Sequence, residues 1–176
     1  GILAWEFGNE FNLAADLPNA AEHRPQIVPQ LGTPKERSAR DELSHKDIRL
    51  ALEEFAREVR RHDSVRLILS GNAFPRPTAW HQLHERSWKK DSTTQRVEML
   101  ADDNPSPISS LCGRLYSTDD LEFLRPAIKL SKRIGKPLVI GEFGVEGALT
   151  DASRKQFERW IEALDANKIS LAALWV

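Results

Sequence analysis

Short runs of apolar residues alternate with longer, charged stretches along this chain. The apolar runs cover residues 2–7, 65–69, 108–111 with an extension toward 116, 137–143 and 169–176. Each is too short for a helix and carries aliphatic or aromatic side chains, so each reads as a strand. Between them the apolar spacing changes. After Ser44, which opens a capping box with Asp47, the residues Ile48, Leu52, Phe55 and Val59 recur at helical intervals, and Asp63-Ser64 ends that pattern. Residues 78–101 predict a helix with an irregular apolar face. Thr118-Asp119-Asp120 opens another that Gly135 stops, and Pro126 inside it predicts a kink or two short helices. A last helix starts at Thr150 or Asp151, carries Phe157, Trp160, Ile161 and Leu164, and stops near Asn167. Strands alternating with helices predict an α/β fold with a parallel sheet.

One segment departs from this rhythm. Residues 11–43 hold Pro18, Pro25, Pro29 and Pro34 and little periodicity, and a loop of that length in a compact domain is commonly functional or disordered. Composition adds limits. The 176 residues suit one domain, and 40% hydrophobic with 29% charged residues describes a globular chain. A net charge of −1 and only short basic clusters argue against a nucleic-acid partner. No window is apolar enough to cross a membrane. Cys112 is the single cysteine, so no internal disulfide forms, and its place in an apolar run predicts a buried, inert thiol.

The candidate chemistry lies at the strand ends. "WEFGNE" closes the first run on Glu10, and "KPLVIGEFG" carries Glu142 at the end of the fourth. In parallel α/β sheets the C-terminal edge is where reactive groups collect. Two carboxylates at one such edge suit glycosidic bond hydrolysis, in which one protonates the leaving oxygen and the other attacks the anomeric carbon. Glu6 shares a strand face with Glu10 by period-two counting, and an inward carboxylate there needs an ion-pair partner, expected on strands outside this chain.

These motifs resemble the clan-A glycoside hydrolases, most of all glycoside hydrolase family 5, with its cellulases and β-mannanases. The residues that carry the resemblance are Asn9-Glu10, Tyr116, "GEFG" around Glu142, and Trp175 within "LAALWV". It implies a (β/α)8 TIM barrel, of which the chain would cover strands four to eight as a partial catalytic domain. It further implies a retaining endo-type β-glycan hydrolase, with Glu10 as acid/base and Glu142 as nucleophile. Tyr116 would hydrogen-bond the nucleophile, Asn9 the sugar 2-hydroxyl, and Trp175 would be a sugar platform. Arg114 stands where the family commonly has histidine and joins the expected substrate-binding set. The resemblance implies no cofactor, a β-linked oligo- or polysaccharide substrate, and an extracellular or periplasmic setting. "ILAWEFGNE" is nearer to the Trp-Glu-x-x-Asn-Glu pattern of β-mannanases than to plain cellulases.

Other residues keep two readings. Trp175 is a core tryptophan or a platform, while Trp5 and Trp160 read as core. Of Trp80 and Trp88, one can line a distal subsite. His81 and His84 have a metal-compatible spacing without a third ligand, so no metal is expected and His81 reads instead as a substrate contact. Two other functions remain: a catalytically inactive carbohydrate-binding relative, and a barrel piece that acts as an assembly module. In the second, unpaired edges at residues 2–7 and 169–176 pair with a second copy or with the N-terminal part of the barrel. The inward faces there are expected to be Ile2 and Ala4, Leu138 and Ile140, and Leu171 and Ala173.

Overall fold

The computed structural model describes residues 1–33, 35–145, 147 and 150–175. Pro34, in the irregular segment, and Val176, the end of the fifth apolar run, lie outside the described residues. All five runs form strands, each shorter than its run: β1 (Ala4–Glu6), β2 (Leu67–Leu69), β3 (Leu111–Leu115), β4 (Leu138–Phe143) and β5 (Ala172–Leu174). The third differs most from expectation. Residues 108–110 precede the ladder, because Ser109 is bonded to β2 instead: its N–H donates to the Ile68 carbonyl, and its Oγ accepts from the Ile68 N–H at 2.7 Å. These bonds join two sheets, β1–β2 and β3–β4–β5, and all ladder pairs are parallel.

The helices form where side chains satisfy the free N–H groups of the first turn. Ser44 caps α1 (His45–His62), and Ser92 with Gln95 makes a capping box for α3 (Thr93–Asp102). The expected helix over 78–101 is therefore two, since α2 (Ala79–Glu85) ends at Arg86 in the left-handed region and α3 restarts from Ser92. Ser117 and Asp120 box α4 (Thr118–Ile134), which runs through Pro126 as one helix rather than two. The proline forfeits one backbone bond. Buried Phe123, Leu124, Ala127 and Leu130 on both sides of it hold the segment against the sheet. α5 (Asp151–Ala166) starts from Thr150 and completes the helical layer.

The main core lies between that layer and β3–β4, with Leu111, Leu115, Leu138, Ile140 and Phe143 meeting Leu124, Leu130, Trp160 and Leu164. Leu138 and Ile140 thus face the helices and are buried, not the open face expected of them. On the opposite side the two sheets share a cluster of Leu69, Cys112 and Val139, flanked by Ala4, Leu67 and Leu171. Phe143 lies on the helix side with Ile140, which strict alternation forbids. The register explains it: Gly113 pairs with Ile140 but Arg114 pairs with Glu142, leaving Gly141 as an extra residue in β4. Such a bulge turns the residues after it to the other face. Trp5 is not core either. It is partly exposed, and its indole N–H donates to Asp63 at 2.8 Å.

Candidate active site at the strand ends

Beyond β1 the chain leaves the ladder through Phe7, Gly8 and Asn9 and reaches Glu10. Glu10 takes a left-handed conformation (φ 55°), uncommon for a residue with a Cβ, and its N–H donates to the Gly71 carbonyl at 2.9 Å. Gly71 follows β2 with φ 73°, and a Cβ on it would lie 1.7 Å from the Gly8 carbonyl oxygen. Only glycine permits both the conformation and this close approach of the two strand ends. Across the cleft the β4 bulge turns Glu142 onto the same face.

Arg114 stands between them. It is 2% exposed. Its Nη2 donates to the Asn9 Oδ1 at 2.9 Å and to the Gly71 carbonyl at 3.0 Å, with the Glu6 carboxylate 3.5 Å away. Its Nε lies 3.6 Å from Glu142 and 4.0 Å from Glu10. Glu6 therefore finds its ion pair on β3, not on strands outside this chain. The Tyr116 hydroxyl donates to the Glu142 Oε2 at 2.8 Å. Burial and that carboxylate push its pKa above the usual phenol range, so it remains a neutral donor. Burial also raises the Glu10 pKa from the ordinary 4.5. Arg114 opposes the rise, while Glu142 and Asp120 add to it.

Glu10, Arg114 and Tyr116 line a cleft of about 280 Å³ together with Arg76, Arg96, Asp119 and Asp120. Trp175, 59% exposed, has its ring edge-on to Tyr116 at 6.2 Å between centroids. The structure thus brings Asn9, Glu10, Arg114, Tyr116, Glu142 and Trp175 to one edge. It does not bring His81 there. The His81 ring is buried with Nδ1 2.6 Å from Asp91, which also accepts from the backbone of residues 80 and 81. Trp80 packs on His84 at 4.3 Å, and neither it nor His81 lines the cleft. Arg114 lines the cleft while nearly enclosed, with three carboxylates within 4.0 Å of its guanidinium.

Two residues contribute to the site in ways the sequence does not show, Asp120 reading there only as part of a helix start. Asp120 caps α4, accepting from the N–H groups of Tyr116 and Ser117, and the Ser-Thr-Asp-Asp start of the helix was its signal. Asn12 is buried and bonds both ways to Ala73 while donating to Asp103. It ties the loop after Glu10 to the end of β2, and no local pattern marks it.

No protein-family model matches this sequence, and no curated protein matches it. Solved structures do. An endo-β-1,4-mannanase from Thermotoga petrophila aligns with TM-score 0.58 and 14% identity over 99% of this chain and 35% of its own. The hyperthermostable endo-1,4-β-D-mannanase from Thermotoga petrophila RKU-1, with maltose and glycerol, aligns equally well over 99% of this chain and 45% of its own. The endo-1,4-β-mannanase from Rhizomucor miehei aligns with TM-score 0.53 and 18% identity, over 78% of this chain and 40% of its own. The chain spans less than half the length of each of these structures. At such identities the likeness is one of fold: this α/β chain, with its parallel strands and covering helices, is built like part of an endo-β-1,4-mannanase.

Proposed function

We propose that this chain carries both catalytic carboxylates of a retaining, endo-acting glycoside hydrolase for β-linked mannan- or cellulose-type glycans. Its five strands are then strands four to eight of a (β/α)8 barrel. One observation carries the reading: Glu10 and Glu142, at the ends of strands in different sheets, meet at a single buried guanidinium. Both Oε1 atoms lie within 4.0 Å of the same nitrogen, which admits the roughly 5–5.5 Å separation of retaining enzymes. Glu142 carboxylate attacks the anomeric carbon as the glycosidic C–O bond breaks, and Glu10 gives its proton to the leaving oxygen. Water then returns a proton to Glu10 while its oxygen takes the anomeric carbon and frees Glu142. The raised Glu10 pKa supports the acid role, and the Tyr116 hydrogen bond supports a fixed nucleophile.

The test is trapping with a 2-deoxy-2-fluoro-β-glycoside bearing an activated leaving group, on the polypeptide that carries this chain. One label should appear on the peptide containing Glu142 and vanish in Glu142→Gln. Oligosaccharide binding without label would replace this reading with a carbohydrate-binding relative. The exposed apolar β1 edge favours a second reading, in which the chain is an assembly module.

A further inference from the structure

The Arg114 guanidinium has more donors than the fold uses. Its Nη2 is satisfied by Asn9 and Gly71, but Nε and Nη1 are buried without a hydrogen-bond partner. Unpaired buried donors on a cation are costly, so native structures rarely keep them without a reason. The neighbouring backbone makes room for them. A Cβ on Gly141, the extra residue of the β4 bulge, would lie 1.8 Å from Nη1. The glycine that turns Glu142 inward therefore also admits the guanidinium beside it. Nε lies 3.6 Å from Glu142 and 4.0 Å from Glu10, just beyond hydrogen-bond length, and contacts of this kind in ligand-free sites tighten when a substrate is bound.

Resting on the glycosidase reading above, we propose that Arg114 is the shared counter-ion of Glu10 and Glu142, a positioning residue that holds both carboxylates from one buried side chain. The consequence follows the reaction. Before attack, Arg114 is divided among Glu6, Glu10 and Glu142. When Glu142 becomes an ester it loses its charge, so it no longer competes for the guanidinium and no longer repels Glu10. Glu10 then binds its proton more weakly at the step in which it must act as a base. The other groups that face Glu10 are Tyr116, just after β3, and Asp120 on α4, with Asp119, Arg76 and Arg96 farther along the cleft. Among the described residues that set the Glu10 proton affinity, Arg114 is the one that lowers it.

The test reads Glu10 directly. In protein labelled with ¹³C at the glutamate carboxyls, the Glu10 signal is assigned by its loss in Glu10→Gln and followed through a pH titration. Arg114→Met should raise its midpoint by about one unit or more, the usual effect of a charge at this range, while Arg114→Lys, which keeps the charge, should return it toward the wild-type value. Arg114→Gln, a neutral side chain that can still donate hydrogen bonds, serves if the methionine variant does not fold. The basic limb of kcat/KM for an unactivated glycoside should move with the midpoint. A Glu10 midpoint unmoved in both charge-removing variants would make Arg114 a mere strut and overturn the inference. Failure of the glycosidase reading shows differently, as no label on Glu142, and leaves the titration a valid measure of Arg114.

Discussion

Trp175 illustrates how one side chain can be read two ways until its surroundings are known. A core tryptophan resembles Trp160, fully buried with its indole N–H donating to the Gly144 carbonyl at 3.1 Å. Trp175 is mostly exposed, beside the tyrosine that binds Glu142. Its ring contributes little buried area to folding, yet offers a flat apolar face to a pyranose. Trp175→Ala is therefore expected to weaken binding of a mannan or cello-oligosaccharide several-fold with little change in melting temperature. Calorimetric titration and thermal unfolding of the same samples measure both. A large thermal loss with unchanged affinity would assign Trp175 to the core.

At the scale of elements, the site depends on how strand ends are tied to each other. The loop after Glu10 is anchored by Asn12, which completes three buried hydrogen bonds, and by Arg76, which donates to the carbonyls of Asn12 and Ala15. Removing the Asn12 amide leaves the Ala73 N–H and carbonyl without a partner inside the fold. Asn12→Ala should cost about 2 kcal/mol in denaturant unfolding, within the usual penalty for orphaned buried groups. It should also lower any glycosidase activity by freeing Glu10. An unchanged midpoint would mean that Arg76 alone holds the loop. The β4 bulge is the matching device on the other side of the cleft, since it sends Phe143 to the core and Glu142 to the site.

The whole molecule leaves apolar surface at both outer strands. β1 pairs only with β2 and β5 only with β4 among the described residues. Near them Ile2, Leu3 (67% exposed), Leu174 and Trp175 face solvent. Unprotected strand edges of this kind recruit other chains. The isolated 19.9 kDa chain should therefore sediment as a dimer or larger species. Leu3→Lys combined with Leu174→Lys, which places a charge on each edge, should shift it toward monomer. A monodisperse wild-type monomer at micromolar concentration would remove the assembly reading.

Much of the architecture could be read before any coordinates, because it rests on local chemistry. Ser44, Ser92, Ser117 and Thr150 cap helices through neighbours three residues away, and the apolar runs signal strands through their own composition. Glu10 and Glu142 stood out for a similar reason, as acids where an apolar run ends. The splitting of residues 78–101 was harder to read, since Arg86 in a left-handed conformation follows no simple residue preference. What tertiary structure decided was the set of contacts between distant residues. The face of β4 turned on a bulge that exists only in register with β3, so alternation assigned Leu138 and Ile140 to the wrong side. His81 was drawn inward by Asp91, ten residues later. Arg114 looked like one more cleft residue, yet it meets acids supplied by β1, by the loop after it and by β4. Spacing along a chain encodes which way a side chain points within its own element. Which charges it finds there depends on how separate elements pack, and that is set by the whole fold at once.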